Sequence, residues 1–415
     1  MKTLIFKKLV KAGEAWKTIE EFKKEVKMST MKIEVENALG FYLAENVKSN
    51  VDLPPFSKSA VDGFAVRSTD LTGASLYNPS LLKIVGEVKI GSISNLKIGE
   101  GEAAKIDTGA SLPEGADAVV ELESCNLLGD YVEVAKRVAP FSNVIRKGED
   151  VKRGEVVLDK GSRLEPWSMA LLKGVGVEEV EVYKPPRVAL ISTGSELSPS
   201  WKEGKIVDTN KPHLKNLLKL LSVEALDMGI VPDKRGKVRE ILEKASKITD
   251  IIVTTGGASV GERDYTVKTL EEIGEVYLHG VAVRPGMPFA FGKVENALVF
   301  ALPGNPVAAY IDYKLFVETF ILSLYDANAS AIPVTVKLEH KIPSTIGFKE
   351  IVRVKLRKEK EGICATLVRR RGSSILSSIV RSDGVIAIPE DSEGLPQGAT
   401  AEVYLHTQPW KNILD

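Results

Sequence analysis

The spacing of apolar residues changes character four times along the chain. Between about residues 14 and 47, Ile19, Phe22 and Val26 recur at helical intervals, and Thr18 stands three residues before Glu21. That pattern predicts a helix with a capping box near its start. From about 82 to 160 the runs shorten and alternate, as in Leu82–Val88, Ala118–Glu123 and Tyr131–Val134, with Gly, Pro and Asp between them. They predict the strands of a small β-rich unit. After Pro185, Pro186 and Arg187 a third texture begins: Val188–Ser192 is a fully apolar run, and Leu214, Leu217, Leu218 and Leu221 then mark one helix face. Further strands follow at 225–231, 250–255 and 297–302, with helices carrying Val238, Ile241, Leu242 and Ala245, then 267–273, then the stretch up to about Tyr325. Strand alternating with helix predicts a doubly wound α/β unit, a parallel sheet covered on both faces. From Ile332 onward, runs at 334–338, 351–356, 365–368, 384–388 and 401–405 predict a small barrel or sandwich.

Length agrees with several units, since 415 residues exceed one ordinary core and allow about two to four domains. Lys plus Arg and Asp plus Glu both number 56, so zero net charge removes any bulk electrostatic case for nucleic acid or an anionic membrane. The apolar runs have strand length, short of a membrane span, and the basic N-terminus lacks the apolar core of a secretory signal. A cytoplasmic location is the expectation. Cys125 and Cys364 make neither a disulfide framework nor a zinc site, and His213, His279, His340 and His406 show no ligand spacing. The histidines are expected at the surface or in packing. Any metal would then be a hard cation held by oxygen.

Open parallel sheets bind ligands beyond the carboxyl ends of their strands. Three such loops are rich in Gly and polar residues: 192–197 with Thr193, Gly194 and Glu196; 254–264 with Gly256, Gly257, Ser259, Gly261 and Asp264; and 302–306 with Pro303, Gly304 and Asn305. The glycines serve either an anion cradled by backbone amides or tight strand-to-helix turns, and the pattern alone leaves both open. The loop is neither a Walker A sequence nor Gly-x-Gly-x-x-Gly, which removes support from kinase and dinucleotide readings. Asp208, ahead of the leucine-striped helix, reads first as a capping residue. Several carboxylates converging on a phosphate would instead suit Mg²⁺. Outside this unit, residues 54–67 form a proline-dense loop containing Asp62 and Gly63, and 106–120 a polar loop containing Thr108.

Seven motifs then make a resemblance recognisable. They are PPFxxSxxDGFAVR at 54–67, TGxxLPEGADAVV at 108–120, STGxEL at 192–197 and DTN at 208–210, followed by TGGxSVGxxDY at 255–265, RPGxPFAFG at 284–292 and LPGNPV at 302–307. In this order, over nearly the whole chain, they resemble the molybdopterin molybdenumtransferase family, the MoeA proteins and the E domain of gephyrin. The resemblance implies an elongated N-terminal domain (1–50 and 141–184), an inserted β-rich domain (51–140), a central α/β molybdopterin-binding domain (185–328) and a C-terminal β-barrel-like domain (329–415). It implies insertion of molybdate or tungstate into adenylylated molybdopterin with release of AMP, using Mg²⁺. It further implies a homodimer whose site is shared between subunits, with other enzymes of cofactor assembly as further partners.

On that resemblance Gly256, Gly257, Ser259 and Gly261 contact phosphate or pterin, together with Thr193, Gly194, Pro303, Gly304 and Asn305. Glu196, Asp208 and Asp264 stand near the cation, Arg284 meets oxyanion charge, and Asp62 and Thr108 act from the partner subunit beside Glu196 and Asp264. Two departures stand out: Met287 occupies a place where many members carry lysine, and Ser57 and Lys58 replace the more usual Asp-Asn. A molybdopterin adenylyltransferase, resembling residues 187–326 alone, and a non-catalytic molybdopterin-binding scaffold are the rival readings.

Overall fold

The computed structural model describes residues 9–91, 93–258, 265–360, 362–369 and 372–414. The first helix, α1, is shorter than its apolar pattern suggests and covers only Ala12–Glu21. Thr18 lies inside it, its hydroxyl donating back to the Glu14 carbonyl at 3.2 Å, so the expected capping box does not form. Past a 3₁₀ turn the period drops to two. Met31 and Ile33 pack inward while Lys32 and Glu34 stay exposed, and Thr30–Glu34 forms β1 against Glu179–Tyr183. A helix could not hold that alternation on one face. Helix α1 itself packs Ala12, Ala15, Trp16 and Ile19 into the core of the α/β unit.

The β-rich unit is a six-stranded sheet of β2 (Gly63–Val66), β3 (Ser80–Val88), β4 (Glu102–Ile106), β5 (Ala118–Glu121), β6 (Cys125–Leu128) and β7 (Tyr131–Val134), ordered β5-β2-β4-β3-β7-β6. Alternate residues feed two separate cores. Phe64, Val66 and Val120 enter one, and Ala65, Ile106 and Val119 the other. The chain reaches this sheet and leaves it along one antiparallel ladder. Val47–Lys48 pairs with Val156–Leu158, Leu53 bridges Val151, and Lys58–Ser59 pairs with Val144–Ile145. A third core of Val35, Leu43, Leu164, Leu172 and Val182 lies at the other end of the ladder.

The central unit contains β8 (Val188–Thr193), α2 (Asn210–Lys219), β9 (Leu226–Val231), α3 (Arg235–Ser246), β10 (Ile251–Thr255), α4 (Tyr265–Ile273), β11 (Glu275–His279), β12 (Ala290–Val294), β13 (Ala297–Leu302) and α5 (Pro306–Asp312). A π-helical stretch, Tyr313–Glu318, and α6 (Thr319–Leu324) continue α5. The strand order is β9-β8-β10-β13-β12-β11. Val188 and Leu190 join Leu214, Leu218 and Phe316 on one face, while Ala189 and Ile191 join Val238 and Leu242 on the other. Each such buried Leu, Val or Phe contributes about 1.5–3 kcal/mol. The sheet is not all parallel as expected: β12 runs antiparallel to both β13 and β11. Only Glu295 and Asn296 separate β12 from β13. That link is far too short for a crossover helix, so the chain must turn back.

After α6, strands β14 (Val334–Leu338), β15 (Lys349–Glu359), β16 (Gly362–Arg369), β17 (Gly384–Ile388) and β18 (Thr400–Leu405) pair in a ring, β15-β16-β14-β18-β17-β15. Closure through the β15–β17 pairing makes this a barrel and leaves no open edge in the ring.

Candidate active site

The carboxyl ends of β8, β10 and β13 bring three of the glycine loops together. The Gly256 amide donates to the Leu302 carbonyl at 3.0 Å, and Asn210 Nδ2 donates to the Gly304 carbonyl at 2.8 Å. Gly256 holds φ +89, and a Cβ there would stand under 3.0 Å from both Thr193 O and Thr193 Oγ1. Gly257 holds φ +65, with the Thr266 hydroxyl in the place of its missing side chain. The turn therefore demands glycine at both positions. Gly304 is different: it is exposed, and a Cβ would meet only Gly256 Cα, at 3.6 Å. This is where a ligand can reach backbone. Ser259, Gly261 and Asp264 lie outside the described residues.

The carboxylates of this crevice differ sharply. Asp208 is buried and accepts from Ser192 Oγ at 2.5 Å and from the Lys211 amide at 3.2 Å. It thereby ties the end of β8 to the first turn of α2, a capping role. Lys211 Nζ sits 3.9 Å from Asp208 and 2.8 Å from Asp227. Glu196 is exposed, and its Oε1 folds to 2.7 Å from where a Gly194 Cβ would be. Among the described residues no three His, Cys, Asp or Glu side chains gather as a metal cluster.

Beside the crevice, the α/β unit and the barrel enclose a cleft of about 400 Å³. Arg284, Gly286, Met287 and Asn305 line it from one side, Glu350 and Ser373 from the other. Val283–Arg284 runs parallel to Lys349–Glu350, and the Val307 amide donates to the Ser373 carbonyl at 2.8 Å. The Arg284 guanidinium lies over the Phe348 ring at 3.5 Å, a stacking that keeps its charge at the cleft wall. Pro303 also borders this space, so Arg284, Pro303 and Asn305 of the sequence reading converge here. The barrel's share, Phe348, Glu350 and Ser373, carries no motif and escaped that reading.

Asp62 and Thr108 meet each other on the inserted sheet, where the Thr108 amide donates to Asp62 Oδ1 at 2.7 Å. Both are exposed. Antiparallel pairing of Gly63 with Ile106 places the two loops at one end of the sheet. Among the described residues none of their hydrogen bonds reaches the α/β unit.

Between α5 and the barrel, the Tyr310 hydroxyl and His406 Nδ1 stand 2.9 Å apart, and His406 Nε2 meets Ser382 Oγ at 2.8 Å. His213 stacks on Tyr310 with ring centroids 5.3 Å apart. These two histidines pack, as expected. Burial, with Lys314 nearby, pushes the His406 imidazole down to about 4.

Such a molecule is a multidomain α/β protein with a glycine-lined crevice at its strand ends and, beside it, a cleft whose walls carry Arg284 and Glu350. Comparison with known proteins places it more narrowly. Residues 10–176 match the MoeA N-terminal region (domains I and II), 189–323 a probable molybdopterin binding domain, and 335–406 the MoeA C-terminal region (domain IV). The chain is 39% identical over 384 residues to a putative molybdopterin biosynthesis protein of Methanocaldococcus jannaschii, covering 90% of this chain and 91% of the relative. It is 33% identical over 393 residues to the molybdopterin molybdenumtransferase of Haemophilus influenzae, covering 92% and 94%. A crystal structure of the MoeA protein of Pyrococcus horikoshii superimposes with a TM-score of 0.84 at 35% identity, over 96% of this chain and all of that one. The chain belongs to the MoeA family.

Proposed function

We propose that the protein is a molybdopterin molybdenumtransferase. It takes adenylylated molybdopterin and molybdate or tungstate and returns the metal-loaded cofactor and AMP. The observation that carries this reading is the junction of two spaces. The glycine-lined crevice at Thr193, Gly194, Gly256, Gly257 and Gly304 suits a phosphorylated ligand, and it adjoins a cleft where Arg284 offers a fixed cation to an oxyanion. A molybdopterin adenylyltransferase would have no use for a cleft walled by the barrel, and a scaffold no use for both spaces.

No protein nucleophile is needed, because the dithiolene sulfurs of the substrate take the metal. The chain's work is positioning and charge management. The donor set is entirely hard oxygen and fits Mg²⁺, which binds through few carboxylates together with substrate phosphates. Exposed Glu196, over the end of β8, is the best placed of the described carboxylates. Asp208 would hold the ion only indirectly, through the strand end it anchors, and Asp264 completes the set. Mg²⁺ there would neutralise phosphate charge as the anhydride opens. Ser259 and Gly261 would bind phosphate, and Pro303 and Asn305 the pterin. Asp62 and Thr108 are exposed and, among the described residues, make no hydrogen bond to their own α/β unit, so they would serve the site of a second protomer in a homodimer. The setting is cytoplasmic, alongside the other enzymes of cofactor assembly.

Purified protein given adenylylated molybdopterin, Mg²⁺ and a titration of molybdate or tungstate tests this. Oxyanion-dependent AMP release, lost in a folded Asp62→Ala variant, is the expected result. Tight binding of the adenylate without AMP release under any oxyanion would leave a carrier and overturn the enzyme.

A further inference from the structure

Helix α5 starts at the cleft, with Asn305 at its N-cap and Ala308 in the cleft wall. Asp312 lies four residues beyond Ala308 and seven beyond Asn305, on the same helix face. It is fully buried, and neither carboxylate oxygen has a hydrogen-bond partner among the described residues. Its position is matched to the cleft loop. Gly286 lines the cleft at φ +142, and a Cβ on it would overlap Asp312 Oδ1 and stand 3.0 Å from Asp312 Cγ. The carboxyl thus fills the space that a side chain at position 286 would claim.

An unpartnered buried acid destabilises a fold that a threonine or leucine would serve without that cost. Its place directly behind a ligand-facing wall points to use by the ligand. The charged groups on the elements around it are few. Arg284 and Glu350 stand on the cleft walls, Arg353 is buried three residues beyond Glu350 on the same strand, His406 meets α5 at Tyr310, and Lys314 and Glu318, two and six residues on, are bonded to each other. Burial alone drives the Asp312 carboxyl well above its ordinary range, towards its neutral form.

We propose that Asp312 is a positioning residue for the oxyanion: as a neutral acid it lets a dianion rest against the Gly286 loop, and on losing its proton it drives the anion out. The proposal rests on the oxyanion reading of the cleft. Tungstate binding to the full chain, followed by calorimetry at a series of rising pH values up to the limit at which the fold holds, tests it. Wild-type affinity is expected to fall on the order of tenfold or more as Asp312 ionises, because a like charge has appeared across a water-poor wall. Asp312→Asn keeps the shape and stays neutral, so its affinity holds level. Asp312→Thr, which also cannot ionise, provides a second level profile should the first variant fold poorly. Arg284→Met lowers affinity at every pH while leaving the wild-type slope. Parallel wild-type and Asp312→Asn profiles would overturn the role of Asp312 and leave the anion site standing. Absent tungstate binding, or binding indifferent to Arg284→Met, would overturn the oxyanion reading and this proposal together.

Discussion

Gly256 and Gly304 face each other across the crevice, yet an added methyl should act on them in opposite ways. At Gly256 the backbone holds φ +89, where an L side chain costs about 1–2 kcal/mol. The new Cβ would also stand under 3.0 Å from the Thr193 carbonyl oxygen. That atom belongs to the central strand β8, so no flexible group can swing aside. Relief requires the ends of β8 and β10 to part, which weakens the 3.3 Å bond from the Thr193 hydroxyl to the Thr255 carbonyl, for about 1 kcal/mol more. Gly256→Ala should therefore cost about 2–3 kcal/mol in all, at the upper end of ordinary single substitutions. At Gly304 the nearest atom is Gly256 Cα at 3.6 Å, an ordinary contact. Gly304→Ala should stay within about 0.5 kcal/mol of the parent while weakening the adenylate by about tenfold, since its methyl stands at the mouth. Chemical denaturation followed by circular dichroism measures the first quantity and calorimetric titration of AMP the second. Equal stability of the two variants, or full affinity in Gly304→Ala, would refute the account of which glycine serves the turn and which the ligand.

Three further outcomes follow from the same geometry. Asp326 accepts from the Tyr183 hydroxyl at 2.6 Å, Lys23 at 2.7 Å and Lys160 at 2.8 Å. Burial would raise this carboxyl, but those three donors outweigh it and hold it well below the usual range. A depressed acid stabilises above its unfolded pKa and stops doing so as pH falls. The carboxylate is 38% exposed, so Asp326→Asn should cost only about 1–2 kcal/mol at neutral pH, a gap that begins to narrow below about pH 4 in acid denaturation and closes as pH falls through the depressed folded value. A gap that does not narrow at all below about pH 4 would rule out ion pairing as its source. For His406 the neutral imidazole is the folded form, at about 4 against about 6.5 unfolded. Stability should accordingly decline by about 3 kcal/mol as pH drops through that window, and His406→Gln should flatten the decline in thermal melts. If Asp62 serves a second protomer, co-expressed Asp62→Asn and Glu196→Gln chains should regain about a quarter of wild-type AMP release, although each alone is inactive. Zero activity in the mixture would confine the site to one chain.

The α/β unit was legible because its strands are buried on both faces and read as unbroken apolar runs such as Ile251–Val253. The strand Thr30–Glu34 was not, because its alternation spans five residues inside a helix-like window and its partner lies near residue 180. The reversed strand Ala290–Val294 was hidden inside a motif, and only the two-residue link to Ala297 betrays its direction. At the site, glycines and loop carboxylates could be named from their setting after strands. Three features could not. The Asp62–Thr108 contact joins residues 46 apart, Glu350 is one charge in a barrel strand, and Asp312 sits in an apolar helix that reads as plain core. A buried acid is visible only once its missing partners can be counted.

The ladder that carries the chain into and out of the inserted sheet has a topological consequence. Its paired strands end side by side at Ser59 and Val144, about 5 Å apart. Everything between them is thus a detour on what is otherwise one long hairpin. A tight turn in place of the detour would close the hairpin without disturbing the core of Leu43, Leu164 and Val182 beyond. The sheet that carries Asp62 and Thr108 is an outgrowth tied to the end of this ladder, where the Ser59 amide donates to the Ala110 carbonyl at 3.0 Å, so it would move with the ladder as a single piece.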